Sequence, residues 1–189
     1  NLVEILADEN GRARAVTTDK GETIACNLVA LAPGVSPNIE FLKDSGIELG
    51  KGVLVNRYLE TNIPNIYAIG DCAEQREAIG NRKTVEAVWY TGRMMGEAIA
   101  QTLSGHRMPY NPGHWFNSAK FLDIEYQTYG WVFPESDKKE QEAHFHWRHP
   151  KEKICVTMAY HKENKQLLGI NTFGIRLRHE IVDRWLTEE

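Results

Sequence analysis

The stretch "TNIPNIYAIGDCAE", residues 61–74, carries a short apolar run, Ile66 to Ile69, that stops on Gly70-Asp71. Glycine lets the chain turn sharply, or lets a ligand reach the backbone. An ionised aspartate accepts hydrogen bonds and donates none. The pair therefore either closes an ordinary turn after a strand or grips a hydroxyl-bearing ligand. The apolar run itself reads as a short buried strand, and "GVLVN", 52–56, as its neighbour in type.

Upstream, residues 2–32 alternate and turn repeatedly. Glu9-Asn10-Gly11 and Lys20-Gly21 separate strand-like runs, which predicts a β-meander. Asn27 to Ala32 is more continuously apolar and predicts a strand covered on both faces. Ser36 as cap, Pro37 at the first position and Gly46 beyond the end predict a short helix between them.

Downstream, "TVEAVWYTGRMMGEAIAQTLSG", 84–105, is the clearest helix. Val85, Val88, Trp89, Met95, Ile99 and Leu103 recur near the helical period. Gly92 and Gly96 cost propensity there, roughly 1 kcal/mol each, so close packing is expected to offset them. Gly105 to Gly113, with Pro109 and Pro112 inside, is the best internal boundary. Beyond it, 115–132, 143–148, 153–160 and 166–173 read as strands, and 175–189 as a helix with Leu177, Ile181 and Trp185 on one side. The second half thus predicts an antiparallel sheet plus one helix.

The chain has 189 residues, 42% apolar and 25% charged, with a formal charge of -4, which is ordinary globular composition. That charge gives no general attraction to nucleic acid or anionic lipid. No run of 18 apolar residues and no signal-peptide pattern occurs, so neither a membrane span nor secretion is expected, and a cytoplasmic protein is. Cys26, Cys72 and Cys155 lie far apart without a CxxC pair, so redox chemistry would need a cofactor. The chain opens on Asn1, inside a strand-like run, as a piece of a longer protein would.

Three stretches, in this order, resemble one family. "NLVALAPGVSPN", 27–38, is similar to the strand and turn that end an NAD domain. "TNIPNIYAIGD", 61–71, is similar to a second FAD motif, and "VEAVWYTGRMMGEAIAQTLSG", 85–105, to the helix after it. Together they look like the C-terminal part of an FAD-dependent pyridine nucleotide-disulfide oxidoreductase, of the ferredoxin/rubredoxin reductase or apoptosis-inducing-factor-like branch. The resemblance implies an α/β plus α+β fold: partial FAD/NAD(P)-binding Rossmann-like domains followed by an antiparallel-sheet C-terminal interface domain. It implies residues 1–50 as the end of the NAD(P)-binding domain, 51–110 as the C-terminal segment of the FAD-binding domain, and 111–189 as an interface or dimerisation domain.

The resemblance also implies cofactor-binding roles. Gly70 and Asp71 would hold the FAD ribityl chain, with Val85, Glu86 and Ala87 near the flavin ring. Glu86 matches an acidic residue near the nicotinamide pocket; its alternative is a solvated first-turn glutamate favoured by the helix dipole. FAD and NAD(P)H are the implied cofactors of a whole enzyme that passes hydride to flavin and onward to an unidentified acceptor. No Gly-x-Gly-x-x-Gly occurs here, so this chain alone is expected to be inactive, with a strand, a glycine-rich turn and a helix expected before Asn1. Its expected partners are the remainder of the same polypeptide and a second copy, as a homodimer through the C-terminal domain. A non-catalytic dimerisation or protein-interaction module is the alternative.

Cys72 reads as a small buried hydrophobe rather than a redox thiol. In "WFNS", 115–118, Asn117 stands where the branch has tryptophan, so Trp115 or Phe116 would have to supply an aromatic wall. His144, His146 and His149 suit a metal or mark an exposed strand edge with Phe145 and Trp147 turned inward. No metal site is assigned.

Overall fold

The computed structural model describes residues 1–188, which divide into two compact units, Asn1–Ser36 and a second beginning at Pro37. The first is the expected meander: β1 (Leu2–Ala7), β2 (Ala13–Thr18) and β3 (Thr23–Ala25) pair antiparallel in that order. Its turns form as the glycines require, with Gly11 at φ +73° and Gly21 at φ +77°. The Asp8 carboxylate accepts from the amides of Asn10 and Arg12, each at 2.9 Å, and so closes the first loop locally.

Asn27 to Ala32 does not become a strand; Leu28 and Leu31 are 83% and 68% exposed. A strand needs a neighbouring edge for its amides, and no described strand pairs with this run. The expected helix after Pro37 shrinks to a single 3₁₀ turn, Glu40–Leu42.

In the second unit, β4 (Val53–Val55) pairs in parallel with β5 (Ala73–Gln75). The expected strand at 66–69 is absent. Residues 59–68 instead fold back on themselves, Ala68 donating to the Leu59 carbonyl at 3.1 Å and Thr61 to that of Ile66 at 3.0 Å. Only Tyr67 keeps a bridge, to Glu60. The residues that complete the β4 pair lie just past the apolar run, so Gly70-Asp71 enters a strand rather than ending one.

Helix α1 spans Trp89–Leu103, five residues later than the expected start at Thr84. Val88 is extended at φ -134° and ψ 132°, and Glu86 is drawn to a partner outside the helix. Thr91, Met95 and Ile99 form the buried stripe, whereas Trp89 and Leu103, expected on it, are exposed. Met95 and Ile99 join Val55, Leu59, Ala73 and Tyr110 in one core. The Val, Leu, Ile and Met side chains among them each contribute about 1.5–3 kcal/mol on burial.

Residues 116–173 form a five-stranded antiparallel sheet: β6 (Phe116–Phe121), β7 (Ile124–Gly130), β8 (Glu142–Arg148), β9 (Cys155–His161) and β10 (Leu167–Phe173), ordered β6-β7-β10-β9-β8. Residues 115–132, read as one segment, are thus a hairpin. Helix α2 (His179–Thr187) packs on this sheet through Val182 and Leu186, which meet Tyr129 and Ile170. The expected face was Leu177, Ile181 and Trp185, but Leu177 precedes the helix and Trp185 is 44% exposed. Among the described residues no helix is long and apolar enough to cross a membrane.

Candidate functional site

Gly70, at φ +75°, opens a 3₁₀ turn, Gly70–Cys72, that leads into β5. This left-handed backbone favours glycine. A Cβ built at Gly70 would meet no atom within 4 Å, so the turn faces open space. Asp71 is exposed, and among the described residues its carboxylate has no hydrogen-bond partner. The corner offers room for a ligand and an acceptor for its hydroxyls, which fits the sugar-alcohol portion of a dinucleotide. Cys72 is half-buried rather than buried, its Sγ 3.5 Å from the Ile69 carbonyl.

The start of α1 sits against this turn. A Cβ on Gly92 would lie 3.5 Å from the Gly70 Cα, and the Gly70 amide donates to Met95 Sδ at 3.3 Å. Helix α1 thus touches the turn at Gly92, but with room for a methyl, and at Gly96 no described atom lies within 4 Å, so packing close enough to require glycine is found at neither position. The first amides of α1 have no intrahelical acceptor and carry the positive end of the helix dipole.

Val85, Glu86 and Ala87 lie in the irregular approach to α1, outside its first turn. Val85 is half-buried and Ala87 exposed. Glu86 is no solvated helix residue: its side chain is 9% exposed and its Oε2 accepts from Arg82 Nη1 at 2.9 Å and from Thr91 Oγ at 3.2 Å. Arg82 is 5% exposed and also donates through Nη2 to the carbonyls of Pro112, Gly113 and His114, at 3.2, 3.4 and 3.1 Å. Its guanidinium carbon lies 5.3 Å from the Trp115 ring centre. Tyr110 is buried in the same unit; burial, opposed by the Arg82 charge and reinforced by Glu86, pushes its phenol up to about 12.

Sequence reasoning missed Arg82. Its one sequence signal is the four-residue spacing to Glu86, which on a helix would mark a surface pair, whereas here it spans a loop.

A cleft of about 500 Å³ opens beside α1, with Tyr90, Phe116, Lys120, Tyr126, Arg176 and His179 among its walls. None of the five expected cofactor residues lines it. Tyr90 bridges α1 to the sheet through a 3.0 Å hydrogen bond with Ser118. Phe116 contacts Tyr90 and His179, with ring centres 4.6 and 4.4 Å away, and Trp115 stacks on Trp131 at 5.8 Å.

The histidines do not converge. Among the described residues no three His, Cys, Asp or Glu side chains are placed to hold a metal ion. His144 is only 16% exposed, His146 bonds Thr157 at 2.9 Å, and His149 accepts from the amides of Lys151 and Glu152. Phe145 and Trp147 are not turned inward but are 48% and 43% exposed, because α2 covers β7 and β10 rather than the edge strand β8.

Known proteins match this arrangement. The family model described as pyridine nucleotide-disulphide oxidoreductase matches residues 1–96. An NAD(P)H coenzyme A polysulfide/persulfide reductase from Pyrococcus horikoshii is 29% identical over 175 residues, covering 86% of this chain and 39% of that protein. A rubredoxin-NAD(+) reductase from Acinetobacter baylyi is 39% identical over 98 residues, covering 51% and 23%. The crystal structure of a ferredoxin reductase for the CYP199A2 system from Rhodopseudomonas palustris superposes with a TM-score of 0.75 at 24% identity, covering 92% of this chain and 41% of that one. The chain thus spans less than half the length of these relatives. A match that takes in the meander, the Gly-Asp turn and the first half of α1, over more than half the residues, places the chain in the pyridine nucleotide-disulphide oxidoreductase family.

Proposed function

We propose that this chain is the C-terminal part of an FAD-dependent NAD(P)H oxidoreductase, with residues 1–50 ending an NAD(P)-binding domain, 51–110 closing an FAD-binding domain and 111–189 forming an interface domain. The observation that carries this is the Gly70-Asp71 corner, an open left-handed turn with an exposed carboxylate that has no partner among the described residues, packed against the start of a helix. Bound flavin would supply the hydride-accepting chemistry. The chain's own residues would bind and orient it: Asp71 would accept from the ribityl hydroxyls, Gly70 would clear the approach, and the α1 amides would present partial positive charge to the ring. Val85 and Ala87 would lie near the ring, and Glu86, bonded to Arg82 and Thr91, would act through them.

The test uses the full-length protein that contains this chain. Purified, it should show flavin absorbance, and Asp71→Ala should weaken FAD binding on the order of 10–100-fold, the worth of hydrogen bonds to a charged acceptor. A wild-type protein that binds no added FAD would end the proposal.

A second reading, a dimerisation or protein-interaction module, is favoured by the exposed Phe145 and Trp147 on β8. Single apolar side chains need no partner, but a contiguous pair on a sheet edge suits one. It is compatible with the first reading through a homodimer of the interface domain. Light scattering of wild type against Trp147→Lys checks it.

A further inference from the structure

We infer that Arg82 is a positioning residue that ties the interface sheet to the cofactor corner and sets where the start of α1 points. This rests on the FAD reading above. Arg82 grips the linker by accepting nothing and donating to three successive carbonyls, Pro112 to His114, immediately before β6. Through its other nitrogen it holds Glu86, and the same Glu86 oxygen holds Thr91, which is 2% exposed on the buried side of α1. One residue further, Gly92 rests against Gly70, and Met95 takes the Gly70 amide. An unbroken line of contacts therefore runs from Trp115 through Arg82, Glu86 and Thr91 to the Gly70-Asp71 turn.

The choice of arginine follows from geometry. Lysine could neutralise Glu86, but a single ammonium cannot reach Glu86 with one nitrogen and span three carbonyls with another. The device is buried, so each bond is worth more than on the surface, and removing one member leaves the others unsatisfied. Nothing about it requires Arg82 or Glu86 to touch the flavin. Their effect travels through the direction of the α1 amides, whose partial charge favours the electron-rich reduced flavin over the oxidised form.

The experiment compares wild type, Arg82→Lys, Arg82→Met and the double variant Arg82→Met/Glu86→Gln in the full-length flavoprotein. Three readouts are taken: thermal stability, affinity for oxidised FAD, and the midpoint potential of the bound flavin. The double variant, which leaves no unpaired buried charge, should recover much of the stability lost in Arg82→Met. Its ratio of affinities for reduced and oxidised FAD should stay about tenfold below wild type, a lower potential by about 30 mV for a two-electron couple. Arg82→Lys should keep the charge and still shift the potential in the same direction, since the fork is lost. A merely structural arginine would move stability and leave the potential alone, and wild-type potentials in Arg82→Lys and the double variant would overturn the inference. If the double variant fails to fold, Arg82→Lys decides by itself. A wild-type protein without FAD would remove the functional reading and this inference together, whereas a loaded wild type with unshifted variants removes only the inference.

Discussion

The two glycines of α1 offer a direct measure of where the helix is held. Alanine outranks glycine by about 0.8–1.0 kcal/mol inside a helix. At Gly96 an added methyl meets nothing within 4 Å, so Gly96→Ala should capture nearly all of that gain. At Gly92 the methyl would reach the Gly70 Cα at 3.5 Å, an ordinary contact, adding at most a few tenths of a kcal/mol of dispersion. Gly92→Ala should therefore also stabilise, by about the same 1 kcal/mol. Each change corresponds to roughly 2–4 °C in Tm for a chain of this size. Gly70→Ala should do the opposite, costing about 1–2 kcal/mol for a left-handed backbone, although its methyl would be equally unobstructed. Urea unfolding of the three variants, followed by circular dichroism, separates the effects, because space alone predicts that all three are harmless. Destabilisation by Gly96→Ala would refute the placement of that face of α1 in open space, and a neutral Gly70→Ala would refute the left-handed turn.

Other expectations follow from the same packing. Gly169→Ala should be severely destabilising and should abolish ordered β10 pairing by amide exchange, because a methyl there would collide with the Trp131 backbone. Arg82→Met should cost about 3–5 kcal/mol by leaving Glu86 buried without its cation, and Glu86→Gln less, since Arg82 keeps three carbonyls; a double-mutant cycle in urea gives the coupling. Glu60 is held below its ordinary value of 4.5, chiefly by its hydrogen bonds from Arg107 and then from Asn56. A lowered carboxyl stabilises fully above that ordinary value and loses its contribution as pH falls through the folded-state value, so Glu60→Gln should flatten the acid limb of a stability-against-pH curve. Tyr110, raised to about 12 by burial, stays neutral when folded while the unfolded phenol ionises near 10. Its stabilising share is therefore full below that point and lost as pH rises towards 12, and Tyr110→Phe should remove this alkaline loss in equilibrium unfolding.

Much of the second unit was legible because its signals are local. Period-two alternation and short loops announce antiparallel strands, and four of the expected segments became the five strands of the sheet, the first splitting at Leu122, whose φ is +53°. Helix α1 was legible from its apolar recurrence, but its first residue was not. Propensity and period continue smoothly from Val85 to Leu103, whereas in the fold Val88 is extended and Glu86 is bonded to Arg82 outside the helix. The phase of α2 was not legible for a similar reason: two apolar stripes compete along it, and contact with Tyr129 and Ile170 selects Val182 and Leu186. At the candidate site, Gly70 and Asp71 were visible as a motif. The arginine that braces them was not, because its partners are a glutamate four residues on and three backbone carbonyls about thirty residues away.

By itself the sequence determined the meander, the antiparallel second half, the long helix and the family resemblance, since turn chemistry and side-chain period act over a few residues. Tertiary structure alone decided that 27–32 and 66–69 do not become strands, that β4 pairs in parallel with β5, and that Glu86 is buried on Arg82. Those outcomes depend on which distant edge, cavity or charge a segment meets when the chain closes, and no local pattern encodes the meeting.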